Sequence, residues 1–119
     1  MADTILIIED HPSVRMLLAR ALEDAGYQVY EAANGRQGLE QFQAQPVDLV
    51  ITDLEMPEMT GLEVILELTR VLLHVKVIAI SGGPVDGLQK ARLLGARQTF
   101  SKPFDLSALL HGIQYELRH

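Results

Sequence analysis

The stretch TILIIEDHP, residues 4–12, joins an apolar run to two acids, a histidine and a proline. Its first five residues are apolar or β-branched without alternation, which is typical of a parallel strand covered on both faces. Pro12 suits the first position of a helix, and apolar residues then recur at helical spacing toward Ala25. The stretch therefore predicts a strand, a loop that carries Glu9 and Asp10, and a helix.

The same order of strand, loop and helix recurs along the chain. We predict strands over residues 4–8, 28–32, 48–52, 75–80 and 98–101, each followed by a helix. Thr60 and Glu63 make a capping box that starts the third helix near Gly61. Gly87 lowers the helix propensity of the fourth helix, which we expect to be loose or short and to end at Gly95. Five such repeats predict a doubly wound α/β fold with a parallel sheet.

Composition narrows the class of protein. The 119 residues suffice for a single domain, 1–119, and any further domain would lie outside this sequence. A net charge of -6 argues against direct binding to nucleic acid or to an anionic membrane. The sequence has no cysteine, which excludes disulfides and thiol catalysis, and no apolar run approaches the roughly 20 residues that span a bilayer. The acidic start enters a strand directly, unlike a signal peptide, so we expect a cytoplasmic location.

Polar residues follow four of the predicted strands. Glu9 and Asp10 follow the first strand, Asp53 the third, Ser81 the fourth and Lys102 the fifth. Ligands of doubly wound sheets bind beyond the carboxyl ends of the strands, where the strand order reverses. In a sheet of order 2-1-3-4-5 that point lies between the first and third strands. The sequence therefore predicts a binding site that these residues share.

The residue types of this site suit a divalent cation and a phosphoryl group. Each close pair of carboxylates costs roughly 4 kcal/mol at an effective dielectric of ~20, so the cluster needs a proton, a lysine or a cation. Mg²⁺ prefers such oxygen ligands, and the four histidines lack the spacing of a zinc site. With Lys102 nearby, Asp53 is the candidate nucleophile for an aspartyl phosphate, and Ser81 could donate to a phosphoryl oxygen. His11 directly follows the acid pair and could border the site, but we expect it to be an exposed loop residue.

This pattern resembles the receiver domain of two-component response regulators (the CheY-like family) over essentially the whole chain. The residues that carry the resemblance, in order, are Glu9-Asp10, Asp53, Met56-Pro57, Gly61, Ser81-Gly82, Gly95-Ala96 and Lys102-Pro103-Phe104. The resemblance implies a flavodoxin-like (βα)5 sandwich whose five-stranded parallel sheet has the order 2-1-3-4-5. It also implies a cis peptide bond between Lys102 and Pro103.

The resemblance further implies a phosphoacceptor signalling domain rather than an enzyme, with at most self-catalysed phosphorylation and dephosphorylation. Asp53 would receive its phosphoryl group from a sensor histidine kinase or a histidine phosphotransfer protein. Mg²⁺ would be held by Glu9, Asp10, Asp53 and the backbone carbonyl of Glu55, while Ser81 and Lys102 would read the phosphorylated state. The other implied partners are an output domain or a partner protein, and homodimers occur in the family.

One position departs from the family pattern and keeps an alternative open. The residue three places before the lysine is usually aromatic, but here it is Thr99, and Phe100 should point to the other face of the sheet. A degenerate receiver that binds proteins independently of phosphorylation is therefore an alternative. A small aspartyl-phosphate phosphatase is less well supported, because the first strand is not followed by an Asp-x-Asp pattern. A flavodoxin would need a phosphate-cradling loop where Glu9 and Asp10 stand.

Overall fold

The fold is an α/β sandwich in which five parallel strands alternate with five helices. A computed structural model describes residues 2–72 and 74–119 of the chain. The strands have the order β2-β1-β3-β4-β5, so the predicted doubly wound (βα)5 architecture and strand order are confirmed. The elements are β1 Thr4–Ile8, α1 Pro12–Asp24, β2 Gln28–Ala32, α2 Gly35–Ala44, β3 Leu49–Asp53, α3 Gly61–Val71, β4 Val77–Ser81, α4 Val85–Leu94, β5 Gln98–Ser101 and α5 Leu106–Arg118.

The core has two layers because successive side chains of a strand point to opposite faces of the sheet. Leu6 and Ile8 of β1 pack into one layer with residues of α2, α3 and α4. Ile5 and Ile7 pack into the other layer with residues of α1 and α5. Every residue of β3 and β4 is buried, as expected for strands that read as continuous apolar runs. The helices thereby fix the central strands from both sides.

Two strand boundaries differ from the sequence-based prediction. β3 begins at Leu49 and includes Asp53, because Asp53 lies in register with Ile80 of β4. Asp48 stands outside the strand, where its carboxylate accepts a hydrogen bond from the backbone N–H of Thr4. β4 begins at Val77, since Val75 donates its N–H to Leu72 in a turn. The predicted nucleophile is thus the last residue of a central strand and not the first residue of a loop.

Two sequence-based expectations about helices can be compared with the structure. The Thr60–Glu63 capping box forms: the Glu63 N–H donates to Thr60 Oγ1 at 3.3 Å, and the Thr60 N–H donates to Glu63 Oε1 at 3.1 Å. The fourth helix, expected to be loose or short, runs for 10 residues through Gly87 to its cap at Gly95, the same length as α2. No helix in the ranges that the structure describes is long and apolar enough to cross a membrane.

Gly61 is required by a close approach of two backbone segments. A Cβ at this position would collide with the backbone oxygen of Asp53 and would lie 2.6 Å from the Cα of Leu54. The Gly61 N–H donates to the Leu54 carbonyl at 3.0 Å, so the start of α3 rests on the end of β3. This contact ties the loop after Asp53 to the sheet.

We expect Gly61→Ala and Gly87→Ala to have opposite effects on the free energy of unfolding, measured by urea denaturation. Gly61→Ala should lower it by about 2 kcal/mol, because the new methyl meets rigid backbone. Gly87→Ala should raise it by about 0.5–1 kcal/mol, because its nearest neighbour, Leu54 Cδ1, lies at an ordinary 3.6 Å and alanine favours the helix. Equal effects at both positions would contradict the close approach at Gly61.

Candidate functional site

The ends of four strands lie side by side at the carboxyl edge of the sheet. Ile8 of β1 is in register with Thr52 of β3, and Ser81 of β4 is in register with Ser101 of β5. The residues that follow these strands therefore meet at one edge, although they come from distant parts of the chain. The structure brings together all the residues that the sequence singled out: Glu9, Asp10, Asp53, Glu55, Ser81 and Lys102.

Lys102 reaches across this edge to two acids. Its ammonium Nζ donates to Glu9 Oε1 at 3.0 Å and lies 3.4 Å from Asp53 Oδ1. Its backbone N–H donates to the Ser81 carbonyl at 2.7 Å, and the peptide bond to Pro103 is cis, as the resemblance implies. Glu9 and Asp53 are only 1% and 2% exposed. Two almost fully buried carboxylates thus share one lysine.

The acids form a group with room for a cation. Glu9, Asp10, His11 and Asp53 each offer one ligand atom, and these atoms all lie within 4.8 Å of one another. Both carboxylate oxygens of Asp53 and the Oδ1 of Asp10 are buried and accept no hydrogen bond from the described residues. Buried oxygens with free lone pairs are the ligands that Mg²⁺ prefers. The donor set therefore fits Mg²⁺.

His11 borders this group although its side chain is 67% exposed. Its Nδ1 lies 3.3 Å from Asp10 Oδ1 and 3.5 Å from Glu9 Oε2. Its backbone N–H donates to Glu9 Oε2 at 3.2 Å, immediately before Pro12 starts α1. The predicted exposure of His11 is confirmed. The only signal in the sequence that His11 lies close to the carboxylates was its place directly after Glu9 and Asp10.

Burial shifts the ionisation of Asp53. Burial, followed by the charge of Glu9, raises the pKa of the Asp53 carboxyl from 3.8 to about 7, against the opposing effect of the Lys102 ammonium. Burial lowers the pKa of Lys102, but its hydrogen bond to Glu9 and the charge of Asp53 outweigh that effect and hold the pKa above its ordinary value of 10.5. Lys102 is therefore a permanent cation at neutral pH, while Asp53 is poorly compensated.

Ser81 is 1% exposed and its hydroxyl is engaged by Glu55. Ser81 Oγ donates to Glu55 Oε2 at 2.5 Å, and the backbone N–H of Gly82 donates to Glu55 Oε1 at 2.8 Å. From the sequence, Glu55 was expected to contribute only its backbone carbonyl. Its side-chain role was missed because a contact between two loops leaves no periodic signal in the sequence.

Arg15 is a further residue at this edge that was not predicted from the sequence. Its Nη1 donates to the Glu9 carbonyl at 2.7 Å, and its Nε lies 3.4 Å from Glu31 Oε1. It lies one helical turn beyond the start of α1. Its only signal in the sequence was a long, positively charged side chain at a position from which it can reach back to the end of β1. Arg15 holds the backbone that presents the acid pair.

Position 99 lacks the aromatic side chain that is usual in the family. Thr99 Oγ1 accepts a hydrogen bond from Arg92 Nη2 of α4 at 3.2 Å. Phe100 packs instead into the layer formed by α1 and α5, as its place in the strand predicts. Gly112 of α5 makes room for it, since a Cβ there would lie 3.1 Å from Phe100 Cζ. The aromatic ring is therefore on the opposite face of the sheet from Thr99.

A sheet of this order with acids and a lysine at its carboxyl edge defines a class of signalling domain. The family model of the response regulator receiver domain matches residues 5–114. The chain is therefore a member of the response regulator receiver domain family.

Individual relatives agree with this assignment. Sporulation initiation phosphotransferase F of Bacillus subtilis (strain 168) is 33% identical over 115 residues, which cover 96% of this chain and 93% of that protein. The chemotaxis protein CheY of Thermotoga maritima is also 33% identical over 115 residues and covers 95% of this chain and 96% of its own length. The crystal structure of a CheY-like receiver domain protein from Methanospirillum hungatei JF-1 superposes with a TM-score of 0.94 at 25% identity, covering 99% of this chain and 95% of that one.

We expect Asp53→Asn to stabilise the metal-free protein at about pH 8 and to lose this effect toward pH 4. Because the folded-state pKa is raised to about 7, the unfolded chain binds fewer protons than the folded protein between about pH 4 and 7, and stability falls as the pH rises through that window. Removing the charge should recover about 2–4 kcal/mol in urea unfolding at pH 8 with a chelator present. The exposed Glu40→Gln serves as the control, and a gain independent of pH would contradict the shift.

Proposed function

We propose that this receiver domain accepts a phosphoryl group on Asp53 from the phosphohistidine of a sensor histidine kinase or a histidine phosphotransfer protein. The observation that carries the proposal is the state of Asp53. Its two oxygens are buried at the carboxyl edge of the sheet and accept no hydrogen bond from the described part of the chain, while the Lys102 ammonium lies 3.4 Å away. A carboxylate with free lone pairs beside a fixed cation is equipped for nucleophilic attack on phosphorus.

Mg²⁺ is the cofactor that the acid group supports. Glu9, Asp10 and Asp53 would hold it, with the backbone carbonyl of Glu55 as a further ligand. When bound, Mg²⁺ would supply positive charge for the phosphoryl oxygens. The unsatisfied Oδ1 of Asp10 and both oxygens of Asp53 support this assignment.

The transfer itself is a displacement at phosphorus. A carboxylate oxygen of Asp53 forms the new P–O bond, while the P–N bond to the donor imidazole breaks and its electron pair stays on the nitrogen. The Lys102 ammonium, held by Glu9 at 3.0 Å, is close enough to bind a phosphoryl oxygen as the charge of the Asp53 carboxylate is spread into the acyl phosphate. The chain would catalyse at most this step and the later hydrolysis, and so it is not a typical enzyme.

An apolar groove beside the pocket supports a protein donor. It is lined by Val14, Leu17, Lys102, Pro103, Phe104 and Leu106. Leu17 is 58% exposed and Met16 of the same helix is 59% exposed. Because Lys102 belongs both to this groove and to the pocket, a protein that covers the groove can bring its phosphohistidine to Asp53.

We expect a small phosphodonor such as phosphoramidate, together with Mg²⁺, to give a single phosphoryl adduct by intact mass spectrometry. Asp53→Asn should abolish the adduct, because the amide lacks a nucleophilic carboxylate oxygen. Asp105→Asn, which changes an acid at the start of α5, is the matched control and should be phosphorylated normally. Equal adduct formation by Asp53→Asn would overturn the assignment of the nucleophile.

We expect Asp10→Asn to weaken Mg²⁺ binding at least about tenfold in calorimetric titrations, because it removes one of the carboxylates that would hold the ion. Glu58→Gln removes one negative charge from the exposed loop after β3 and should change the affinity less than about twofold. If both substitutions weaken binding equally, the ion is attracted by net charge and is not held by Asp10.

A degenerate receiver remains the second candidate, and Thr99 is the observation that favours it. Because residue 99 is a threonine, whose hydroxyl accepts a hydrogen bond from Arg92, it cannot supply the aromatic movement that is usual in the family. In that case the surface would bind an output domain or partner protein without phosphorylation. Amide NMR spectra that do not change on addition of Mg²⁺ and beryllofluoride would favour this candidate over the phosphoacceptor. In both candidate functions, residues 1–119 form a single receiver domain.

A further inference from the structure

The loop that follows β4 forms hydrogen bonds with an acidic side chain of the protein itself, that of Glu55. The two carboxylate oxygens of Glu55 accept hydrogen bonds from Ser81 Oγ at 2.5 Å and from the Gly82 N–H at 2.8 Å. Ser81 Oγ in turn accepts from the Gly83 N–H at 3.0 Å. The packing is close, since a Cβ on Gly83 would lie 3.2 Å from Glu55 Oε2. This arrangement of one hydroxyl and one backbone N–H around two oxygens is one that also suits a phosphoryl group.

We propose that the Glu55 side chain occupies the phosphoryl-binding donors of this loop in the resting state and is displaced when Asp53 is phosphorylated. The inference rests on the proposed function. Glu55 lies two residues after Asp53 in the same β3–α3 connection, so its carboxylate and a phosphoryl group on Asp53 compete for the same loop. Glu55 would thus set how readily the pocket accepts its ligand, beyond any part played by its backbone carbonyl.

The competition follows from the number of donors. The Ser81 hydroxyl has one proton and can donate one hydrogen bond, which Glu55 Oε2 already accepts. A phosphoryl oxygen can use this donor only if Glu55 releases it. The phosphoryl group also brings negative charge beside the Glu55 carboxylate, and like charges at this distance repel. Both effects favour the release of Glu55 once the phosphoryl group is in place.

The release would give the domain a signal that needs no aromatic residue at position 99. Gly82 and Gly83 directly precede Pro84, the cap of α4. When Glu55 leaves, the loop before α4 exchanges a carboxylate of the protein for a phosphoryl oxygen, and an acidic side chain is freed beside the start of that helix. The change is local and electrostatic, and a partner surface could read it there.

The test measures the affinity for beryllofluoride, a phosphoryl analogue, in the presence of saturating Mg²⁺. We expect Glu55→Ala to tighten binding about three- to tenfold, because the analogue no longer displaces a charge-assisted hydrogen bond. Glu55→Gln keeps an acceptor oxygen without the charge and should fall between Glu55→Ala and the unmodified chain. Glu58→Gln, which removes an acid from the same connection, should change the affinity less than about twofold.

A double-mutant cycle separates this contact from a general effect of charge. In a Ser81→Ala background the gain from Glu55→Ala should fall to less than half, since the principal donor is gone. The amide signal of Gly82 should differ between Glu55→Ala and the unmodified chain without beryllofluoride and should coincide in the bound state, where Glu55 has left in both proteins. The inference is overturned by an unchanged affinity, by an equal gain in Glu58→Gln, or by a Gly82 difference that persists on binding.

The experiment also distinguishes the two proposals. If the unmodified chain and every variant fail to bind beryllofluoride with Mg²⁺, the phosphoacceptor function itself is wrong and the role of Glu55 is wrong with it. If the unmodified chain binds and Glu55→Ala has no effect, only the role of Glu55 is overturned.

Discussion

The contact of Lys102 with Glu9 and Asp53 is the interaction on which the functional edge depends. Two carboxylates that are 1% and 2% exposed have lost nearly all of their hydration, and a carboxylate without compensation in such a place is costly. The Lys102 ammonium lies within 3.4 Å of both carboxylates, although Lys102 is 93 positions away from Glu9 in the sequence. The ends of β1, β3 and β5 must therefore be brought into line by the sheet before the charges can be balanced.

The sheet meets this requirement through its register. Asp53 is held inside the last position of β3, opposite Ile80, and the Leu54 N–H donates to the Ile80 carbonyl just beyond it. The Lys102 N–H donates to the Ser81 carbonyl at the neighbouring strand end. Backbone hydrogen bonds thus fix the Cα positions of Asp53 and of Lys102, so that both side chains start from the same edge of the sheet.

Much of the fold could be predicted from the sequence because its signals are local. Continuous apolar runs mark β1, β3 and β4 as strands buried on both faces, and the Thr60–Glu63 pair marks the start of α3. Strand ends were displaced by one or two residues at β3 and β4, since the register with a neighbouring strand, and not the local sequence, decides where pairing stops. The positions of Glu9, Asp53 and Lys102 at one edge follow from topology alone.

The contacts between loops could not be predicted in the same way. Glu55 and Ser81 are separated by 26 positions, and their contact depends on how two connections fold over the edge of the sheet. The direction of Arg15 back toward the Glu9 carbonyl likewise depends on the angle between α1 and β1. Such contacts are decided by tertiary geometry, and neither hydrophobic period nor turn chemistry encodes them.

Hydrogen-bond partners are unevenly distributed among the polar groups at this edge. Ser81 and Glu9 both have hydrogen-bond partners within the protein, whereas the oxygens of Asp53 have none among the described residues. The electrostatic cost at this edge is therefore greatest at the carboxylate of Asp53, both of whose oxygens are unsatisfied. A cation that neutralises this charge would bind the folded chain more tightly than the unfolded one, so cation binding and fold stability would be linked through Asp53.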